Sequence, residues 1–138
     1  MPRKMLVAIL VLAHCSMLSV PATARSFGRT VIVDSAFTVR AGDARYWEFS
    51  VSKNGANVSG RFRAEGGGGN DIICLILDRD SFENWRNGHT VNTYYNSGKI
   101  TVANINVNLG EGNYVLVFSN TFSSVSNKAV TARVEMQR

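Results

Sequence analysis

Apolar and polar residues alternate along much of the chain after residue 30. The alternation is clearest in residues 47–51, 58–64 and 130–136, where mostly apolar residues take every second position. Successive side chains of a β-strand point to opposite faces of its sheet, so each segment is predicted to be a half-buried strand. Apolar residues at positions 31, 33, 37 and 39 predict an earlier strand pair or one interrupted strand.

Two further segments, residues 72–77 and 114–118, are apolar at every position. Both are too short for a helix and rich in strand-forming residues. A strand that is apolar on both faces needs cover on both sides, so we predict that these two strands are central in a sheet.

The alternation changes phase near Ala103 and Asn104. Apolar side chains occupy even positions in residues 100–102 and odd positions in residues 105–109. A change of parity moves every following side chain to the other face of a sheet, so we expect a bulge or bend near these two residues.

Glycine, asparagine and aspartate cluster between the strand segments, and no long helical pattern is present. Short strands separated by turns are typical of all-β sandwiches, so we predict one antiparallel β-sandwich of about seven to nine strands. The helical candidate is one short turn near residues 80–87. There the Ser81 hydroxyl can accept hydrogen bonds from the first backbone N–H groups.

The first 24 residues have the three-part layout of a secretory signal peptide. A positive start at Arg3 and Lys4 precedes an apolar run over residues 5–13, and small residues at Ala22 and Ala24 predict cleavage after Ala24. The run is shorter than the roughly 20 residues that span a membrane. We therefore expect an exported chain without a transmembrane segment, in the periplasm or outside the cell.

The leader also determines the predicted domain organisation. Cys15 lies in a sequence that loosely resembles a lipobox, but the residue before it is the bulky, polar His14, so soluble export is favoured over a lipid anchor. Removal of residues 1–24 leaves a short flexible N-terminus over residues 25–30 and a single β-sandwich domain over residues 31–138.

Charge argues against a nucleic-acid partner, and the cysteine content excludes an internal disulfide. The chain has 15 basic and 10 acidic residues, and because Arg3 and Lys4 leave with the leader, the mature chain has 13 basic residues and a net charge of +3. These charges are scattered, which argues against a nucleic-acid partner. Cys74 is the one cysteine after the leader, so an internal disulfide is impossible, and its apolar neighbours predict an unreactive core thiol.

Two parts of the chain resemble known modules. Residues 109–123, with the sequence LGEGNYVLVFSNTFS, and the Lys-Ala-Val sequence at 128–130 are similar to the last part of GOLD-type (Golgi-dynamics) β-sandwiches. Residues 77–88, with the sequence LDRDSFENWRNG, together with residues 95–98, look like small exported bacterial proteins that carry such a domain. The resemblance covers residues 72–136 and implies a β-sandwich of jelly-roll type.

Modules of this kind are generally regarded as protein- or lipid-interaction units, so the resemblance implies an interaction role and not an enzymatic one. The membrane-bound cargo adaptors that carry this domain have a transmembrane tail and a disulfide, and the lipid-transfer proteins have a separate lipid-binding domain. None of these features is found in the sequence. The resemblance therefore implies only the fold and a general interaction role.

Candidate catalytic residues are few. His89 is the single histidine after the leader and has no Gly-x-Ser-x-Gly sequence to accompany it, so an exposed loop histidine is favoured over a catalytic base. The glycine run at residues 66–69 lacks the Lys-Ser or Lys-Thr of a phosphate-binding loop and is interpreted as a flexible connection. We predict no enzymatic activity and no cofactor.

An acidic group at Asp78, Asp80 and Glu83 raises the question of calcium. An EF-hand loop needs a glycine at the sixth position, where Glu83 stands, so that motif fails. A looser calcium site is the alternative, but carboxylates that cap the helical turn explain these residues better.

Aromatic residues supply the main candidate for a ligand or partner contact. Trp85, Tyr94 and Tyr95 lie in the least regular region, between the two apolar strands, where their rings can stack on sugars or dock a partner. The alternative is structural: Trp85 and Phe82 fold back onto the core, with one tyrosine inward and the other outward.

Gly112 and Asn120 are interpreted as structural turn residues at the two ends of the apolar segment 114–118. The leading hypothesis is an exported, non-enzymatic β-sandwich that binds an unidentified protein or associates with the envelope. A carbohydrate-binding module that uses the loop aromatics is the first alternative. An enzyme or a calcium-dependent binding domain is the second.

Overall fold

The computed structural model describes residues 28–138, which form eight β-strands and one short helix. The strands are β1 Arg29–Val39, β2 Ala44–Val51, β3 Ala56–Glu65, β4 Ile72–Asp78, β5 Tyr95–Ile100, β6 Val102–Leu109, β7 Gly112–Ser119 and β8 Lys128–Gln137, and the helix α1 is Arg79–Arg86. No helix in this part of the chain is long and apolar enough to cross a membrane. The predicted signal peptide and Cys15 lie outside the described residues.

The strands form two four-stranded antiparallel sheets. Sheet A has the order β1-β8-β3-β6, and sheet B has the order β2-β7-β4-β5. The pairs are nested, β1 with β8, β2 with β7, β3 with β6 and β4 with β5, as in one long hairpin rolled up on itself. This is the arrangement of a jelly roll, and it confirms the predicted antiparallel β-sandwich.

The main core lies between the two sheets. Its largest fully buried side chains include Phe62 from sheet A and Leu116 and Phe118 from sheet B. A second, smaller cluster covers the outer face of sheet B, where α1 packs onto β4 and β7. Sheet B is therefore apolar on both faces at its centre, which confirms the doubly covered central strands predicted from residues 72–77 and 114–118.

β1 is one interrupted strand, which is the second of the two possibilities that the apolar positions predict. Its pairing with β8 shifts register between Val31 and Val33, and Val31 is left 52% exposed. The strand also begins earlier than expected. Residues 25–30 are predicted to be flexible, whereas Arg29 already pairs with Gln137, because main-chain bonds to β8 continue to that end of the sheet.

The phase change after β5 comes from a change of sheet. β5 ends at Ile100 in sheet B, β6 begins at Val102 in sheet A, and Thr101 joins them. β6 pairs with β3 through Ala103 and Asn104 without a shift of register. The prediction of a bulge or bend at these two residues is therefore wrong in position. The parity changes at Thr101 instead, because a chain that crosses between facing sheets also reverses which side chains point inward.

The joint between β6 and β7 also crosses between the sheets. Its turn consists of Gly110 and Glu111, whereas Gly112, predicted to be a turn residue, is the first residue of β7. A side chain at Gly112 would meet the ring of Tyr114, whose nearest atom is 3.3 Å from the Cβ position. The Tyr114 hydroxyl donates to the Gly110 carbonyl at 3.0 Å, as in the tyrosine corner of Greek-key sandwiches, and so fixes the crossing.

Asn120 organises the corner at the other end of β7. It is fully buried, and its side-chain amide donates to the backbone carbonyls of Val39, Arg40 and Ser126. Its backbone N–H donates to the Asp43 carbonyl at 2.9 Å. The residue therefore ties the β1–β2 corner to the segment that follows β7.

The glycine run at residues 66–69 lies against a buried lysine. Lys128 is 3% exposed, and its ammonium group donates to the Gly66 carbonyl at 2.9 Å and to the Asp71 carboxylate at 3.1 Å. Gly66 and Gly67 have φ angles of 109° and 67°, which let the backbone turn around the ammonium group. The predicted flexible connection is therefore held in place by a buried lysine and its ion pair with the partly exposed Asp71, since a buried charge requires a partner.

Candidate functional site

Helix α1 begins directly after β4 because Asp78 caps its first turn. The Asp78 carboxylate accepts a hydrogen bond from the backbone N–H of Ser81 at 2.7 Å, so Ser81 is the capped residue and not the cap. This bond satisfies one of the N–H groups that the start of a helix leaves without an intrahelical partner. The helix ends at Arg86, Asn87 caps the last turn, and Gly88 takes a φ of 82°.

One side of α1 packs onto the outer face of sheet B. Phe82 is 1% exposed and, together with the half-buried Trp85, covers Val115 and Val117 of β7. The two aromatic residues are three positions apart, so they lie on the same side of the helix. Both fold back onto the core, which agrees with the structural alternative considered for them.

Three aromatic rings stand in a row on this side of the molecule. The Tyr46 ring of β2 lies 4.8 Å from the Phe82 ring, and Phe82 is stacked against Trp85 at 6.1 Å with an interplanar angle of 20°. The Arg86 guanidinium lies 5.6 Å from the centre of the Phe82 ring, within the range of a cation–π contact. Tyr46 is 46% exposed, so one end of the row is open to solvent.

The row forms the floor of an open groove of about 520 Å³, which we call the aromatic groove. Its walls come from three separate parts of the chain: the β1–β2 turn with the start of β2, the second half of α1 with the loop after it, and the loop after β7. Besides the three rings, the lining includes the polar side chains of Asp43, Arg86, His89 and Thr121. The groove therefore exists only when these distant segments are folded together.

Polar groups of both signs surround the aromatic floor. Asp43, Arg86 and His89 are exposed on the rim, and the Thr121 hydroxyl adds a group that can both donate and accept hydrogen bonds. An apolar, aromatic floor with a few polar groups directed toward it is the usual composition of a small-ligand site. Within residues 28–138, no group of three or more His, Cys, Asp or Glu side chains is arranged to hold a metal ion.

The structure separates the three aromatic residues that the sequence singles out. Trp85 lines the aromatic groove, but neither Tyr94 nor Tyr95 does. Tyr94 is 49% exposed and rests edge-on against Tyr114 at 5.2 Å. Tyr95 begins β5, packs against the main core and donates from its hydroxyl to the Asn104 carbonyl at 3.1 Å. One tyrosine thus faces outward and the other inward.

Tyr46 is the groove residue that the sequence patterns do not single out. It lies directly before the alternating segment 47–51, and strand parity places it on the face opposite Trp47. Glu48 and Ser50 occupy the same face as Tyr46 and are exposed. An aromatic residue among outward-facing polar residues is the signal that points to Tyr46.

The other chemical candidates do not converge on the groove. Cys74 is fully buried, and burial raises the pKa of its thiol well above the usual range, as expected for a core residue. Asp78 is engaged as the helix cap, whereas Asp80 and Glu83 are exposed on α1. Glu83 makes a loose contact with Arg86, at 3.8 Å.

Asp78→Ala is expected to lower the free energy of unfolding by about 1 kcal/mol, because the first turn of α1 loses its cap. Asp80→Ala is the matched control, since it removes an exposed carboxylate from the same turn and leaves the cap intact. We expect it to change the free energy of unfolding by less than about 0.5 kcal/mol. Equal losses for the two variants in urea denaturation would contradict the assigned cap.

In comparisons with known proteins, no family model matches the chain, and no curated protein is significantly similar to it in sequence. The GOLD-type resemblance of residues 72–136 therefore stays a prediction. The established level of classification is the two-sheet antiparallel sandwich of eight strands in residues 28–138.

Proposed function

We propose that this chain is an exported, non-enzymatic binding module and that the aromatic groove is its recognition surface. The observation that carries the proposal is the exposed ring of Tyr46, which lies with Trp85 over the buried Phe82 and inside a rim of polar side chains. Aromatic rings offer large contact areas at low entropic cost and dominate binding hot spots.

Packing holds the groove in shape without a ligand. Phe82 rests on the side chains of β4 and β7, and α1 is held at its start by the Asp78 cap and by an ion pair between Arg79 and Glu48 at 3.1 Å. A surface that is already ordered loses less conformational entropy on binding. In this proposal the short helix serves to present Trp85 beside β2.

A protein segment is the first occupant we propose, in line with the resemblance to GOLD-type interaction modules. The leader predicted over residues 1–24 supports a periplasmic or extracellular location, so the partner would be another envelope or extracellular protein. The volume of about 520 Å³ lies in the range of ordinary ligand pockets. It therefore suits a short segment of a partner better than a broad, flat interface.

A glycan is the second occupant, and the exposed ring of Tyr46 favours it. The C–H groups on one side of a sugar ring pack well against an aromatic face, and the sugar hydroxyls need hydrogen-bonding groups close by. Asp43, His89 and Thr121 supply such groups in the same groove.

Photo-crosslinking in cells that export the full chain tests the proposal. A photoreactive benzoylphenylalanine replaces His89, on the groove rim, in one variant. It replaces Val125, which is 87% exposed and outside the groove, in the control. We expect a discrete adduct, with a protein or a glycan, from position 89 only, and we expect it to be lost when Tyr46→Leu is added.

Three crosslinking results would contradict the proposal. Adducts of equal yield from both positions would show that the groove is not a preferred contact. Absence of an adduct from position 89, or an adduct that persists with Tyr46→Leu, would show that the aromatic floor does not bind. Leucine keeps apolar contact with Phe82, so the variant tests the exposed ring and not the fold.

A further inference from the structure

A second, smaller pocket of about 110 Å³ lies on the outer face of sheet B, further along β2. Its lining includes Glu48 and Ser50 of β2, Asn113 of β7 and Arg79 of α1. The Ser50 hydroxyl donates to the Asn113 side-chain oxygen at 2.7 Å. We call it the polar pocket, because hydroxyl, amide and charged groups line it beside Phe49, Tyr114 and Val115.

β2 connects the two pockets. Ala44 and Tyr46 line the aromatic groove, and Glu48 and Ser50 line the polar pocket. All four side chains lie on one face of the strand, because strand side chains alternate. The strand advances about 20 Å between residues 44 and 50, at roughly 3.4 Å per residue. The two pockets therefore lie one after the other along this face of the strand, and we call the surface that holds both the β2 face.

Charges along the β2 face nearly cancel. Arg79 pairs with Glu48 at 3.1 Å, Arg86 lies 3.8 Å from Glu83, and Asp43 adds one further carboxylate. A surface without a dominant charge attracts neither a polyanion nor a polycation. An open aromatic face with hydroxyl and amide groups along the strand instead suits a neutral, polyhydroxylated ligand.

We propose that the β2 face binds an elongated neutral glycan, with one sugar ring on Tyr46 and another beside the Ser50–Asn113 pair. The inference rests on the proposed function, since it requires the aromatic groove to be a binding site. A surface of about 20 Å accommodates several linked sugar units. Contacts made by units of one chain reinforce each other, because the second contact forms at high effective concentration.

A peptide added to the sheet as an extra strand would use β2 differently. β2 is an edge strand of sheet B, so its free edge can pair with an added strand through backbone hydrogen bonds. Such pairing depends on the backbone at the edge and not on the Tyr46 ring or the Ser50–Asn113 pair on the face. Loss of binding in Tyr46→Leu therefore distinguishes a ligand on the β2 face from a peptide that pairs with the edge of the strand.

Isothermal titration calorimetry with the exported chain tests the inference. The ligands are disaccharides and hexasaccharides of the cellulose, chitin and starch series. We expect the hexasaccharide of at least one series to bind about tenfold or more tightly than its disaccharide. Tyr46→Leu is expected to weaken both about tenfold, whereas Ser50→Ala is expected to weaken only the hexasaccharide. Val125→Ala, which truncates an exposed side chain outside both pockets, is the control and should leave both affinities unchanged.

Three outcomes would overturn the inference: no binding in any series, equal affinity for short and long chains, or unchanged affinity of Tyr46→Leu. Thermal denaturation checks that the variants with Tyr46 or Ser50 replaced remain folded. Crosslinking from position 89 separates this inference from the proposed function. If glycans fail to bind while a Tyr46-dependent protein adduct forms, the glycan inference is wrong and the proposed binding module is retained. If neither glycan binding nor a Tyr46-dependent adduct is observed, both the inference and the proposed function are rejected.

Discussion

Phe118→Ala should lower the free energy of unfolding by about 3–5 kcal/mol, the cost typical of removing a buried phenylalanine side chain. Phe118 is completely buried, and its ring lies 5.3 Å from both Phe37 and Phe62 and 6.0 Å from Trp47. Two of these neighbours belong to sheet A and one to sheet B, so a single ring joins both sheets. The loss is a large part of the roughly 5–15 kcal/mol that stabilises a typical domain.

Phe122→Ala is the matched control for this variant. Phe122 lies in the loop after β7, is half-buried and contacts Lys99, whose ammonium group is 4.4 Å from the ring centre. Because the ring lies outside both core clusters, we expect a loss below about 1 kcal/mol. Urea denaturation followed by circular dichroism gives both values. A loss below about 1 kcal/mol for Phe118→Ala would show that β7 is not a central strand.

The strands are predictable because the pattern of apolar and polar residues in each one shows which of its faces are buried. β2, β3 and β8 have one covered face and alternate, whereas β4 and β7 are covered on both faces and are apolar throughout. These patterns need no knowledge of which strands are neighbours. The antiparallel sandwich can therefore be predicted from the pattern of apolar and polar residues. The order of the strands cannot, because the nested pairing of the jelly roll joins residues that lie far apart in the chain.

Where the chain changes sheet, local patterns have more than one explanation. The parity change after β5 fits either a bulge within one strand or a crossing to the facing sheet, and the crossing at Thr101 is what the structure has. The residue that caps the helix is also not determined by the local sequence. Asp78 and Ser81 are both good capping residues, and the choice depends on where β4 ends, which is determined by its pairing with β7.

The aromatic groove is only partly visible in the sequence. Trp85 stands out within its own segment, whereas Tyr46 and Thr121 lie far from it and reach the groove because β2 pairs with β7. Tyr94 and Tyr95 show the opposite effect, since they are neighbours in sequence and face different ways. Grouping aromatic residues that are close in sequence therefore identifies Trp85, but it misses the groove residues that come from distant parts of the chain.

Gly60→Ala should lower the free energy of unfolding by about 3 kcal/mol, at the upper end of the cost of overpacking. Gly60 lies in β3, paired on one side with β8 and on the other with β6. A Cβ atom at this position would collide with the Arg133 carbonyl oxygen and lie 2.7 Å from the Val134 Cα. Both are backbone atoms that cannot rotate away, so β3 and β8 would have to separate, and these strands carry Phe62 and Val134 into the core.

The same close approach explains a gap in the alternation of β3. The inward positions Val58, Phe62 and Ala64 are apolar and buried, and Gly60 occupies the inward position among them because the backbone of β8 fills the place of a side chain. Gly68→Ala is the matched control, since a Cβ there would meet nothing within 4 Å, and we expect a change within about 0.5 kcal/mol. Equal midpoints of thermal unfolding for the two variants would mean that β3 and β8 can move apart without loss. A lower midpoint for Gly60→Ala alone would show that the centre of sheet A requires this backbone contact.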